Sequence, residues 1–145
     1  MITSYGTTRS TIDELSIIKW DTVIIDESHN IKNPAAQITK AVNKLNGNNR
    51  IALSGTPVMN NTFHIYSQLN FLLPGLLGGT EFFKREYAIP IDRDMSVEKN
   101  TALQKLTAPF IFRRTKKQVA ADLPAKTESV LWCEMEVEQR EFMKR

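Results

Sequence analysis

Thr22-Val23-Ile24-Ile25-Asp26-Glu27-Ser28-His29 is the stretch from which the fold of this chain is read. Four β-branched residues in a row, closed by polar ones, predict a buried strand. The strand ends in two adjacent carboxylates. Past it, Asn33 is expected to cap a helix, with Pro34 in the first helical position. Ile38, Ala41, Val42 and Leu45 then fall on one face at i, i+3, i+4 and i+7. Gly47-Asn48-Asn49 reads as a turn, and Arg50 to Ser54 as a second short strand running into Gly55-Thr56-Pro57. Strand, helix and strand in that order predict an α/β fold: a parallel pair joined by a right-handed crossover. Both strands end in polar clusters, and the carboxyl ends of strands are where open parallel sheets bind ligands.

The pattern changes on either side of this unit. Upstream, Met1-Ile2-Thr3-Ser4-Tyr5-Gly6-Thr7 offers no strand signal. Downstream the reading is helical. Thr62 is expected to cap a helix with Ile65, Leu69, Leu72 and Leu73 inward, stopped by Pro74-Gly75. Thr80 is expected to cap a shorter one bearing Phe83 and Tyr87. Ser96 is expected to cap a third, with Ala102, Leu103 and Leu106 inward. The aromatics from Phe63 to Tyr87 are expected in a core. Val130 to Cys133 reads as a strand or linker, and Val137 to Arg145 as the start of a helix.

Composition sets the outer bounds. The 145 residues are 41% hydrophobic and 24% charged, ordinary values for a globular chain of about one domain. The mostly apolar run from Phe71 to Leu77 is broken by Pro74-Gly75 and is too short to span a bilayer. No basic-then-apolar signal peptide opens the chain. One cysteine, Cys133, excludes an internal disulfide and a Cys-rich zinc site. The overall charge is only +3, yet Pro109 to Lys126 carries five basic residues against one acid, so that segment holds +4 and the remainder −1. A cluster of this kind suits either a phosphate-bearing partner or a solvated face.

An apolar strand closed by Asp26-Glu27 has the form of a Walker B element. There an aspartate holds a magnesium ion and the neighbouring carboxylate orients or deprotonates a water. The same dipeptide also closes many ordinary strands. Ser54-Gly55-Thr56 at the second strand end brings hydroxyls and a glycine suited to a switch beside phosphates, and it equally suits a plain turn.

Taken together and in order, these pieces resemble helicase superfamily 2. Asp26-Glu27-Ser28-His29 looks like its motif II, Ser54-Gly55-Thr56-Pro57 like motif III, and Thr3-Ser4-Tyr5 like motif Ib. Further segments narrow the likeness to the Swi/Snf-type (sucrose non-fermenting) DNA translocase ATPases. These are Ile31-Lys32-Asn33, Val58-Met59-Asn60-Asn61 opening into Tyr66, Leu69 and Phe71, and Leu73-Pro74-Gly75-Leu76-Leu77-Gly78. Phe82 and Tyr87 follow, then Pro109-Phe110-Ile111-Phe112-Arg113-Arg114-Thr115-Lys116 with Val119, Asp122-Leu123-Pro124 and Lys126. Ser28 stands where the family often has Ala, and Met59 where it often has Gln. Neither change removes an acid or a phosphate-facing hydroxyl.

The resemblance implies a partial RecA-like parallel sheet of the P-loop NTPase type with an appended helical subdomain. Residues 1–61 would be the C-terminal half of the first ATPase lobe, 62–126 the helical protrusion and basic segment, and 127–145 a linker toward a second lobe. It implies ATP and Mg2+ as ligands and double-stranded DNA as partner, with DNA-bound protein complexes as targets. Asp26 would bind Mg2+ and Glu27 would be the hydrolytic base. His29, Ser54, Gly55 and Thr56 would couple nucleotide state to movement. Thr3, Ser4, Lys32, Asn33, Arg113, Arg114 and Lys116 would lie toward DNA. No Gly-x-x-x-x-Gly-Lys-Ser/Thr loop occurs in the 145 residues, so the chain reads as an excised piece, inactive alone, with the Walker A segment and second lobe elsewhere in a longer protein. Such a protein is expected inside the cell, in the cytoplasm of a bacterium or the nucleus of a eukaryote. Two other readings stay open at this point: another superfamily 2 branch, and a non-catalytic module that binds nucleic acid or a partner.

Overall fold

A computed structural model of the chain describes residues 1–55 and 62–114, together with 118, 127 and 129. Two compact units divide it, Met1–Phe110 and Ile111–Arg145. In the first unit, β1 (Lys19–Ile25) and β2 (Asn46–Ala52) form a parallel two-stranded sheet, with Ile24 opposite Ile51 and Ile25 opposite Ala52. Between them run a 3-10 turn, Ser28–Ile31, and an α-helix, Gln37–Asn43. This is the strand–helix–strand unit expected from the sequence.

Two helices that the sequence reading missed precede the sheet. α1 (Tyr5–Ser10) is capped by Ser4, whose side chain accepts from the Thr7 amide at 3.1 Å. α2 (Ile12–Leu15) follows it directly. The helix between the strands, α3 (Gln37–Asn43), starts later than expected. Asn33 does not cap it. Its Oδ1 accepts from the Ala35 amide at 2.9 Å, and its carbonyl accepts from the fully buried Thr39 hydroxyl at 2.7 Å. These bonds fold Pro34 into a turn ahead of the helix.

Gly47-Asn48-Asn49 is strand, not turn, because pairing with β1 overrides local propensity. Asn49 Nδ2 donates to the Asp21 carbonyl at 3.2 Å. A Cβ at Gly47 would stand 2.7 Å from Val23 Cγ2, so only glycine lets the strands approach there. The β1 run is not buried on both faces. Val23 and Ile25 are buried, while Ile24 is 58% exposed. Leu15, Val23, Ile25, Ile31, Val42, Leu45 and Phe71 form the core on the covered face.

The rest of the first unit is helical. α4 (Thr62–Leu72) is followed by α5 (Thr80–Phe83), a π turn (Lys84–Ala88) and α6 (Ile89–Asp92), then by α7 (Val97–Thr107). The π turn has a local cause: Pro90 brings no N–H for the carbonyl four residues before it. Gly79, not Thr80, is the cap residue of α5. Thr62 lies within α4, and its hydroxyl donates to Asp92 Oδ1 at the far end of α6. Ser96 caps α7 as expected, accepting from the Lys99 amide at 3.3 Å. The second core comprises Tyr66, Leu69, Leu77, Phe83, Ala88 and Leu103. Leu73, Ala102, Leu106 and Phe82 were expected inside, and all four are exposed. Phe82 instead lies beside the loop before α5, against Gly78, which holds a φ of +72°. The Val130–Cys133 and Val137–Arg145 segments fall outside the described residues, as do Thr56 and Lys116.

Candidate nucleotide and DNA site

The two strand ends meet. The Leu53 amide donates to the Ile25 carbonyl at 2.8 Å, continuing the ladder by one residue. Leu53 then accepts from the Ser28 amide at 2.8 Å. The turn that carries Asp26 and Glu27 is thereby stitched to the residue before Ser54. The two polar clusters, far apart in sequence, stand side by side at the carboxyl edge of the sheet. Ser54 and Gly55 are both exposed there.

Glu27 is held in a left-handed backbone conformation, φ 47° and ψ 52°. For a residue with a side chain this costs about 1–2 kcal/mol. Local bonds compensate for it. Asp26 Oδ1 accepts from the Glu27 amide at 2.8 Å, and the Glu27 carbonyl accepts from both the backbone and side-chain nitrogens of Asn30, each at 2.9 Å. The turn leaves both carboxylates exposed at the sheet edge. His29 Nδ1 stands 3.1 Å from Glu27 Oε2, with both side chains about half exposed. Several local bonds thus hold a strained residue at the end of a strand.

Behind the turn the packing is tight. Ser28 and Ile31 are buried, and the Ser67 hydroxyl of α4 donates to the Ile31 carbonyl. Arg50 of β2 donates from Nη1 to the Phe71 carbonyl at 2.9 Å and from Nη2 to the Leu45 carbonyl at 2.7 Å, its guanidinium lying 5.2 Å from the Phe71 ring centre. Burial pulls the Arg50 pKa down from its ordinary value. In front of the turn, the Tyr5 hydroxyl donates to the Asp26 carbonyl at 2.7 Å.

Asp26 and Glu27 are the carboxylates exposed at this edge. Among the described residues, no group of three or more His, Cys, Asp and Glu side chains forms a cage for an ion. One or two carboxylates at an open edge suit Mg2+, which keeps several waters and completes its shell with substrate phosphates.

The SNF2-related domain family matches residues 1–145, the whole chain. The chain belongs to this family. The TATA-binding protein-associated factor mot1 of Schizosaccharomyces pombe is 37% identical over 99% of the chain, which corresponds to 8% of that protein. The DNA repair and recombination protein RAD26 of Saccharomyces cerevisiae is 38% identical over 97% of the chain and 14% of its own length. The SWI2/SNF2 ATPase core of Sulfolobus solfataricus, solved in complex with double-stranded DNA, superposes with a TM-score of 0.74 at 40% identity, covering 97% of this chain and 30% of that one. The RecA-like fold class expected from the sequence is the one this neighbour has. The SNF2 chain described here is a small part of each relative.

Within this SNF2 chain the expected site residues divide by location. Asp26, Glu27 and His29 share one turn, with Ser54 and Gly55 next to it. Thr3 and Ser4 are exposed, and the Ser4 hydroxyl is engaged in capping α1. Lys32 and Asn33 are exposed at the end of the 3-10 turn. Arg113 and Arg114 belong to the second unit, where the Arg114 guanidinium lies 4.8 Å from the Phe112 ring centre. Sequence reasoning gave no role to Asn30, Arg50, Ser67 or the Tyr5 phenol. Each acts through a contact with backbone, which leaves no spacing signature. Among the described residues, no helix is long and apolar enough to cross a membrane.

Proposed function

We propose that this chain supplies the hydrolytic and coupling elements of an ATP-driven motor that moves along double-stranded DNA and displaces or remodels protein complexes bound to it. The observation that carries the reading is the stitched pair of strand ends, with Ser28 bonded to Leu53 and the acid pair beside Ser54. Residues 1–61 would form the second half of an ATPase lobe, 62–126 its helical protrusion with the basic segment, and 127–145 the way toward a second lobe.

In this scheme Asp26 would hold Mg2+, and the ion would supply charge neutralisation for bound phosphate. Glu27 takes a proton from the attacking water. Its carboxylate is oriented by His29 at 3.1 Å and by the left-handed backbone. Ser54, Gly55 and Thr56 report the nucleotide state to the neighbouring elements. Thr3, Ser4, Lys32, Asn33, Arg113, Arg114 and Lys116 would each contact the DNA backbone, where contacts fix position without reading sequence. The 145 residues alone are expected to show no hydrolysis, because phosphoryl transfer depends on positioning groups that they lack.

The test is Glu27→Gln in the full-length protein. The amide keeps the size and cannot accept the proton. DNA-stimulated hydrolysis should fall by about 10²–10⁴-fold, while ATP and duplex binding stay near wild type. Near-normal turnover would overturn the base assignment.

A further inference from the structure

Three successive carbonyls run through the acid turn, and each has a different kind of partner. Ile25 is taken by the Leu53 amide at 2.8 Å, which belongs to the sheet. Glu27 is taken by Asn30, three residues on. Asp26, between them, has left the ladder and faces away from the local turn. Its carbonyl accepts from the Tyr5 phenol at 2.7 Å, from a side chain 21 residues upstream. Tyr5 is the first residue of α1, directly after Thr3 and Ser4. Its ring packs against the core beneath the sheet, which fixes where the hydroxyl can reach.

We propose that Tyr5 is a positioning residue: its phenol holds the Asp26 carbonyl, sets the turn in which Asp26 and Glu27 stand, and ties that turn to the Thr3–Ser4 segment. The proposal rests on the reading of Asp26 and Glu27 given above. A displacement of α1 is carried to the acid pair through one hydrogen bond and the ring behind it. In the assembled motor, whatever meets Thr3 and Ser4 therefore adjusts the geometry of hydrolysis through Tyr5.

The experiment compares three variants of the full-length protein, with ATP and linear duplex DNA as ligands. Tyr5→Phe keeps the ring in the core and removes only the donor. Its DNA-stimulated kcat should fall about fivefold, the rate equivalent of one ordinary hydrogen bond, with KM for ATP and Kd for duplex within about twofold. Thr8→Val is the structural control. It removes a different bond of α1, from the Thr8 hydroxyl to the Ser4 carbonyl at 2.9 Å, and should leave kcat near wild type. An equal kcat loss in Thr8→Val would make Tyr5 a mere part of helix stability and overturn the proposal. Wild-type kcat in Tyr5→Phe beside a dead Glu27→Gln would overturn it alone. An active Glu27→Gln would remove the acid-pair reading beneath it as well.

Discussion

The sheet half and the helical half of the first unit each close on a buried apolar core, yet they treat polar groups differently. In the helical half, Phe83 sits fully buried against Tyr66, Tyr87 and Phe63, with ring centres 4.7, 5.6 and 5.9 Å away. Its charged residues brace the surface, as Glu86 does with Arg85 and Lys99. In the sheet half, one face is covered and one is open, a left-handed glutamate stands at the edge, and carbonyls are held by side chains from distant elements. The helical half has a left-handed residue and a long-range carbonyl bond of its own, Met95 at φ 53° and the Tyr66 hydroxyl to the Gly78 carbonyl at 3.3 Å, so the difference lies in the open sheet face and the two carboxylates exposed at its edge. α4 belongs to both halves. It gives Phe71 to one core and Tyr66 and Leu69 to the other.

The two cores that share this helix are the place to break the comparison with the largest effect. Phe71→Ala and Phe83→Ala each remove a fully buried ring, one from each core, and each should cost about 3–5 kcal/mol. If α4 couples the two halves, hydrogen exchange in the full-length protein should show faster opening of β2 and α7 in both variants. Opening confined to the half that was mutated would separate the halves and leave α4 a passive border.

A smaller perturbation sharpens the contrast at the acid turn. Ser67→Ala strands the Ile31 carbonyl, which lies in a fully buried residue, and should cost about 1–3 kcal/mol locally. Protection should drop in the 3-10 turn Ser28–Ile31 before it drops in α5 to α7. Ser67→Thr, which keeps the hydroxyl, should recover part of it. An unchanged turn in Ser67→Ala would mean that the Asn30 and Leu53 bonds hold it without help from α4.

Much of this arrangement was legible beforehand. The β-branched run of β1, the Ser96 cap and the inward Leu69, Phe83 and Leu103 follow from local pattern. What sequence could not give depends on pairing across distance. Gly47 to Asn49 carry turn residues and become strand because they pair with β1, Gly47 opposite Trp20 and Asn49 opposite Thr22. α1 and α2 are too short to show a helical period; α1 is held by the Ser4 cap and its packing on α3, and α2 by Ile12 and Leu15 against the first core. Leu106 and Ala102 have helical spacing and face solvent, since the second core closes on Leu103 alone in α7. The acid pair was legible as a motif; the Tyr5 hydroxyl and the Ser67 bond behind it were not.

The smallest expected effect lies in the helical half and tests whether its charges only brace. Glu86 accepts from Arg85 Nε at 2.9 Å and from Lys99 Nζ at 3.3 Å, linking the π turn to α7. The bond from Arg85 first, then Lys99, holds its carboxyl below the ordinary 4.5. A carboxylate whose folded pKa is depressed stabilises the fold fully above its unfolded value. That contribution fades as the pH falls through 4.5 and on through the lower folded value. Glu86→Gln should therefore be slightly less stable than wild type at pH 7, by no more than an exposed ion pair provides. The gap should close in acid. Salt should narrow it at neutral pH, since the pair is partly exposed and screened. ATP hydrolysis in the full-length protein should be untouched at every pH, in contrast to Glu27→Gln. A hydrolysis defect in Glu86→Gln would show that the helical half does more than pack, and the division between the two regions would have to be redrawn around α7.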